Sequence, residues 1–248
     1  MSKFIIEGGH RLEGAIKASG NKNAALALLP ATLLTSEPVT LHNLPDIRDV
    51  RATLAILEDL GVEVTPLGAG SWRLHAQRLP QTVLDRELAS RIRASFLFSG
   101  PMLARTGEIT LPLPGGDVIG GRPLDTHVQG LKALGAEVEL DERQVLFHMR
   151  VPELHAGGYL LQAEASVTGT ENTIMAAVLA PGKTVIDNAA SEPHVRDLCN
   201  FLNLLGARIE GTGTNRLTIH GVERLGGGEF TIGADFMEVG SFIGAAAV

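Results

Sequence analysis

An α/β fold built from three pseudo-symmetric repeats is what this sequence predicts, and three observations carry the prediction. The segments LEDLGVEV, LKALGAEV and LNLLGARI share one signature, with Gly61, Gly135 and Gly206 spaced 74 and 71 residues apart. Each glycine stands where an amphipathic helix gives way to a strand, the place where a left-handed cap residue is needed. Behind each follows an alternating strand that closes on histidine: SWRLH at His75, QVLFH at His148 and RLTIH at His220. Ahead of each lies a helix rich in small apolar residues (NAALALLPATLL, SFLFSGPMLA, NTIMAAVLA) and then a strand (PVTLHN, GEITLPL, KTVIDN). One repeat therefore reads helix, strand, helix, strand, strand. Three copies predict a domain with one helix of each packed inside and sheets around them.

Taken in order, the chain opens with a predicted strand, KFIIEG, and a turn that runs through IKASG to Gly20-Asn21-Lys22-Asn23. The three repeats follow. ADFMEVGSFIGAAAV then opens like a fourth copy, with Glu238 to Val248 matching the start of a small-residue helix. Half a core helix leaves apolar surface in water, so the chain is expected to lack its continuation.

Composition bounds the function. The chain has 248 residues, 44% of them hydrophobic and 20% charged, which is ample for a core. A formal charge of −7 argues against a nucleic-acid partner, because phosphate contacts call for a basic excess. A single cysteine, Cys199, excludes a disulfide framework and, in the apolar run LCNFLNLL, reads as a core thiol. No signal peptide is evident and the apolar runs are too short for membrane insertion. A soluble, cytoplasmic protein is expected. His75, His148 and His220 lack acidic or cysteine partners at ligand spacing, so no metal is predicted.

Two clusters carry chemistry. The loop LPLPGGDVIGGRPLDTH, Leu111 to His127, packs two glycine pairs, an isolated carboxylate at Asp117 and a guanidinium at Arg122 between Pro114 and Pro123. Glycine pairs suit backbone that turns sharply or lies against a ligand. The second cluster is Lys22 at a helix start. A lysine opposes the macrodipole there, unless ammonium and helix end together hold an anion. Equivalent starts in the other repeats carry Arg91 and Arg93 (SRIRAS) and the hydroxyl-rich turn Ser166–Asn172 (SVTGTEN). If the pseudo-symmetry points them one way, they converge on one ligand.

GNKNAALA, SRIRASFLFSGPMLA, LPGGDVIGGRPLDTH and ASVTGTENTIMAA, in this order and spacing, resemble the enolpyruvyl transferases of the UDP-N-acetylglucosamine 1-carboxyvinyltransferase family along essentially the whole chain. The resemblance implies an inside-out α/β barrel. It also implies that residues 22–233 form one complete three-repeat domain, while 1–21 and 234–248 are fragments of a second, mostly absent domain. The missing C-terminal half of the same protein is thus an expected partner. The implied reaction moves the enolpyruvyl group of phosphoenolpyruvate to the 3-hydroxyl of UDP-N-acetylglucosamine and releases phosphate, the first step of peptidoglycan precursor synthesis. It needs no cofactor. By matched position, Asp117, Lys22 and Arg122 are the implied catalytic residues. Lys22, Asn23, Arg93, Arg122, Pro123, Leu124, Asp125, Thr126, Ser166, Val167 and Thr168 are implied to bind substrate. Asp49 in LPDIRDV matches an acidic position with a structural or domain-closing role.

Two departures from the family pattern stand out. Asp117 occupies a position that commonly holds cysteine. A carboxyl group there has an ordinary pKa of about 3.9, so it needs desolvation to hold a proton near neutrality, and Arg122 pulls the other way. VTGTEN replaces the commoner VGATEN, which alters the backbone contacts expected there. Two alternatives remain open at this point: a non-catalytic UDP-sugar-binding half-protein, and the shikimate-pathway enolpyruvyl transferase. The latter would carry a GDKS-like turn in place of GNKN.

Overall fold

The computed structural model describes residues 3–9, 13–116 and 123–247. The first repeat comprises α1 (Lys22–Ala31), a 3-10 turn (Thr32–Leu34), β1 (Val39–His42), α2 (Arg48–Asp59), β2 (Glu63–Gly68) and β3 (Ser71–His75). The second comprises α3 (Arg86–Ser90), a 3-10 segment (Arg93–Phe98), α4 (Ser99–Thr106), β4 (Glu108–Pro112), α5 (Asp125–Ala133), β5 (Glu137–Asp141) and β6 (Leu146–Arg150). The third comprises β7 (Gly158–Leu161), α6 (Val167–Ala177), β8 (Lys183–Asp187), α7 (Pro193–Leu204), β9 (Arg208–Glu210), β10 (Arg216–His220) and β11 (Gly228–Thr231). A last helix, α8 (Phe236–Ala247), follows.

Burial separates two kinds of helix. Residues 24–31 of α1 and 169–177 of α6 are buried on every side, as the small residues at those positions allow. The second inner helix starts as the 3-10 segment and becomes regular only from Ser99. In contrast, α2 and α7 bury one stripe each, Val50, Leu54 and Leu57 in the first, Val195, Leu198 and Leu202 in the second. One-sided stripes suit a covering layer, and all-round burial suits a centre. Helices inside and sheets outside make the inside-out α/β barrel.

The three repeat glycines do the same task three times. Gly61, Gly135 and Gly206 have φ of +94°, +99° and +104°, where a side chain would be strained. Each donates its N–H to a carbonyl three residues back, at Glu58, Lys132 and Asn203, and ends its helix.

The sheets run β11-β1-β3-β2, β7-β8-β10-β9 and β4-β6-β5. In each, the strand after the inner helix has a parallel neighbour: β7 beside β8, β11 beside β1 and, as a single bridge, Val83 beside Thr110. This parallel edge is a further strand of the repeat that the sequence pattern does not announce. For the first sheet it comes from the far end of the chain, so β11 closes the ring. The two ends of the ring then touch, with Asn21 N–H donating to Gly233 O at 2.9 Å and Asp235 N–H to Ser19 O at 2.8 Å.

Two expectations are corrected. Residues 3–9 form no strand, and Phe4, Ile5 and Ile6 are each about nine-tenths exposed. An extended segment without a sheet edge beside it has no bonds to hold it as a strand. His148 does not end its strand, because β6 continues to Arg150 in register with Glu137 and Glu108. α8 is helical from Phe236, and none of its described residues is buried.

Candidate functional site

The helix starts carry the candidate residues. Asn21 caps α1, its side chain accepting from the Ala24 N–H at 2.8 Å, which leaves Lys22 and Asn23 on the exposed first turn. The Lys22 ammonium finds its anion within the chain, since Nζ lies 2.6 Å from Oδ2 of Asp49 in the first turn of α2. Both groups are more than a third exposed, so the pair contributes about 0–1 kcal/mol to stability. A ligand anion has only a weak interaction to displace.

Arg93 begins the 3-10 segment that opens the second inner helix and is half-buried. Arg91 does not join it, because it is paired with Glu87 within one helical turn. The described part of the glycine loop rests on this turn. A Cβ on Gly115 would stand 1.6 Å from the Ser90 carbonyl oxygen, and one on Gly116 (φ +90°) 3.2 Å from the Arg93 nitrogen. Only glycine permits that approach. Asp117 and Arg122 lie outside the described residues.

The starts of α5 and α6 come together. Pro123, Leu124 and Asp125 lead into Thr126, which is buried against α6. A Cβ on Gly169 would meet Thr126 Cγ2 at 2.8 Å, so glycine lets the two helices touch. Ser166 caps α6, its hydroxyl accepting from the Gly169 N–H at 3.2 Å, and places Val167 and Thr168 in the first turn. The Thr126 hydroxyl points at Oε1 of Glu164, 3.5 Å away. The Thr168 hydroxyl is 3.0 Å from Nε2 of His127.

Two polar groups behind this surface are not evident as site residues from the sequence. Asn172 is fully buried within α6 and bonds across to Gly100, Phe96, Ser99 and His127. Burial, and then the Arg93 charge, push the His127 imidazole down to about 3. The sequence signal is a polar residue inside an otherwise apolar buried helix, which must find partners. A second buried group gathers where α7 begins. Burial, and then the neighbouring Glu192 charge, hold the Glu171 carboxyl well above the usual carboxylate range. Oε1 of Glu171, Oε2 of Glu192 and Nδ1 of His194 find no hydrogen-bond partner among the described residues. Burial also pushes the Cys199 thiol up to about 12, so it is no nucleophile at neutral pH.

His75, His148 and His220 lie on β3, β6 and β10, in three different sheets. Among the described residues no group of three metal-ligating side chains converges, and no helix is long and apolar enough to cross a membrane. Two surface concavities, one along β9 and His220 and one over the face of the β4-β6-β5 sheet, contain none of the candidate residues. Of the candidate residues, the structure brings together those at the starts of α5 and α6, with the Arg93 charge near His127, while Lys22 is seen with Asp49.

The family model described as EPSP synthase (3-phosphoshikimate 1-carboxyvinyltransferase) matches residues 6–248. Among curated proteins, the chain is 51% identical over 248 residues to the UDP-N-acetylglucosamine 1-carboxyvinyltransferase of Treponema denticola, covering 100% of this chain and 57% of that protein. The protein of the same name from Bacteroides fragilis is 46% identical over 252 residues, with 100% and 58% covered. The chain thus spans a little over half the length of these relatives. Among solved structures, the enolpyruvyl transferase NikO from Streptomyces tendae superposes with a TM-score of 0.81 at 22% identity, covering 96% of this chain and 56% of that one. EPSP synthase from Acinetobacter baumannii does so with a TM-score of 0.72 at 17% identity, covering 93% and 52%.

Proposed function

The chain belongs to the EPSP synthase (3-phosphoshikimate 1-carboxyvinyltransferase) family, and within it we propose that the whole protein moves the enolpyruvyl group of phosphoenolpyruvate to the 3-hydroxyl of UDP-N-acetylglucosamine. The observation that carries this reading is the identity of about half, along the entire chain, to proteins named for that reaction. The product enters peptidoglycan precursor synthesis in the cytoplasm. On the same reading, residues 22–233 form one domain of the enzyme, and the rest of the longer protein completes the other.

The chemistry assigns work to the helix starts. The sugar 3-hydroxyl adds to C2 of phosphoenolpyruvate, its O–H bond breaking as a base takes the proton, while the methylene carbon takes a proton from an acid, giving a tetrahedral phospho-ketal. Loss of phosphate, with a proton leaving the new methyl group, restores the vinyl ether. Both substrates are anionic, so the site must hold phosphate and carboxylate and deliver one proton. Lys22 and Arg122 hold the phosphoenolpyruvate anion, with Asn23 and Arg93 beside it. Asp117 carries the proton. Pro123 to Thr126 and Ser166 to Thr168 line the UDP-sugar site, which the contact of the α5 and α6 starts supports. Lys22 exchanges its Asp49 partner for substrate.

The test is phosphate release from phosphoenolpyruvate by the full-length protein, with UDP-N-acetylglucosamine or shikimate 3-phosphate as acceptor. Release with the UDP-sugar alone is expected. Release with shikimate 3-phosphate alone would overturn the assignment.

A further inference from the structure

His127 has no assigned part in the reaction, yet its surroundings leave its ring only one arrangement. The side-chain oxygen of Asn172 accepts the Gly100 N–H at 2.7 Å, which fixes the amide's orientation. The amide nitrogen then faces the Phe96 carbonyl at 3.2 Å, Ser99 Oγ at 2.7 Å and His127 Nδ1 at 3.1 Å. An amide nitrogen only donates, and it has two protons. The Phe96 carbonyl already accepts the Ser99 hydroxyl at 2.7 Å, so the two amide N–H groups go to Ser99 Oγ and to Nδ1, which accepts. The ring therefore carries its proton on Nε2. That nitrogen stands 3.0 Å from Thr168 Oγ1, so the hydroxyl accepts there.

The ring is held uncharged by its setting. His127 is 3% exposed, Phe96 meets it edge to face at 5.0 Å, and the Arg93 charge is close enough to oppose protonation. A second proton would have to enter on Nδ1, against the N–H groups of Asn172. A hydroxyl has one proton and two lone pairs. With a lone pair taken by Nε2–H, the Thr168 proton is left to donate elsewhere, and no described residue accepts it.

We propose that His127 is a positioning residue that commits the Thr168 hydroxyl to donating, so that Thr168 binds an acceptor oxygen of the nucleotide diphosphate. The inference rests on the UDP-sugar reading of this site. Thr168 stands in the first turn of α6, where free backbone N–H groups favour an anion, and VTGTEN supplies a hydroxyl where the commoner VGATEN pattern has glycine. The chain thereby adds a side-chain donor that the common pattern does not provide.

The experiment uses the 248-residue chain with UDP as the probe, followed by NMR. Nitrogen spectra of the labelled histidines should show one ring neutral and protonated on Nε2 from about pH 8 to about pH 5, and lost in His127→Gln. Thr168→Val should weaken UDP binding about tenfold, the size of a hydrogen bond to a charged acceptor. Thr168→Ser, which keeps the hydroxyl, should stay within about twofold of wild type. His127→Phe should weaken UDP about threefold, with His127→Gln, which keeps a donor, restoring most of it. If His127→Phe does not fold, the Thr168 pair and the ring spectrum still decide. A ring that titrates near 6.5, an Nδ1–H tautomer, or Thr168→Val binding UDP as wild type does would overturn this inference alone. No UDP binding by the wild-type chain would overturn this inference, and none by the full-length protein would overturn the functional reading as well.

Discussion

Single residues carry the largest departures from what the family pattern leads one to expect. A carboxyl at position 117 can pass a proton, but it is a far poorer nucleophile than a thiolate. Asp117→Asn in the full-length protein should therefore lose at least about 100-fold in turnover, the scale of one general acid, while UDP-sugar affinity holds. Near-normal turnover would remove Asp117 from the chemistry. If the resemblance to UDP-N-acetylglucosamine 1-carboxyvinyltransferases holds, in whose pattern fosfomycin alkylates the cysteine at this position, the full-length protein should also survive fosfomycin, and Asp117→Cys should become sensitive to it. Covalent labelling of wild type at Asp117 would contradict that. Glu171 tests burial in the same way. Its folded pKa is raised, chiefly by burial and secondarily by Glu192. Its stabilising contribution is full below the unfolded value near 4.5 and is lost as pH rises through the folded one. Glu171→Gln keeps the shape and cannot ionise. Its melting temperature relative to wild type should thus be higher at pH 8 than at pH 5, by about 2–4 °C for each kcal/mol removed. Parallel pH profiles would show that Glu171 stays protonated, or is solvated, throughout.

Elements were legible in the sequence where local chemistry decides them. Small apolar runs gave the inner helices, one-sided stripes the outer ones, and Gly61, Gly135 and Gly206 the three caps. β7 and β11 were not legible. Each has four residues, and β11 pairs Gly228 with Val39, a partner on the far side of the chain that no local pattern announces. The predicted strand at KFIIEG failed for the converse reason: its aromatic and β-branched run is real, but no sheet edge lies beside residues 3–9. The site divided similarly. The helix starts that carry Lys22, Arg93 and Thr168 are repeat-equivalent and were legible, while the contact of Thr126 and His127 on α5 with α6 depends on helix packing. That packing can be tested at Gly130. A Cβ there would lie 2.0 Å from Thr173 Oγ1, in the seam where α5 meets α6. Glycine to alanine inside a helix ordinarily gains up to about 1 kcal/mol. At Gly130 overpacking should reverse the sign, with a loss of about 1–3 kcal/mol in denaturant unfolding. Gly240→Ala in α8, with nothing within 4 Å, is the control and should be neutral or stabilising. Equal effects at the two sites would mean that the seam is loose.

At the scale of the molecule, stability is unevenly shared. The inner helices α1 and α6 lie in one continuous core with the apolar stripes of α2 and α7. The ring of sheets is closed by β11, and its ends meet at Asn21 and Gly233. Beyond that junction the balance changes. α8 is anchored near its start by the Ser19–Glu238 hydrogen bonds and the Asp235 cap, but Met237 and Ile243 are about two-thirds exposed, and residues 3–9 pack against nothing buried. Local opening costs least where few apolar contacts are lost. Hydrogen exchange on the 248-residue chain should therefore show the amides of α1 and α6 protected to near the global unfolding limit. Those of Phe242 to Ala247 should exchange at least about 100-fold faster, a gap of roughly 3 kcal/mol in opening free energy. The same imbalance bears on activity. Charge stabilisation of the kind proposed here needs a site closed from water, and the starts of α1, α5 and α6 stand on a solvent-facing surface. The chain by itself should bind UDP weakly and release no phosphate from phosphoenolpyruvate above background. Adding a separately produced C-terminal half of a relative should both protect the α8 amides and restore turnover. Full-rate release by the chain alone would show that three repeats suffice for the chemistry. Protection of α8 without recovered turnover would separate folding of the second domain from assembly of the site.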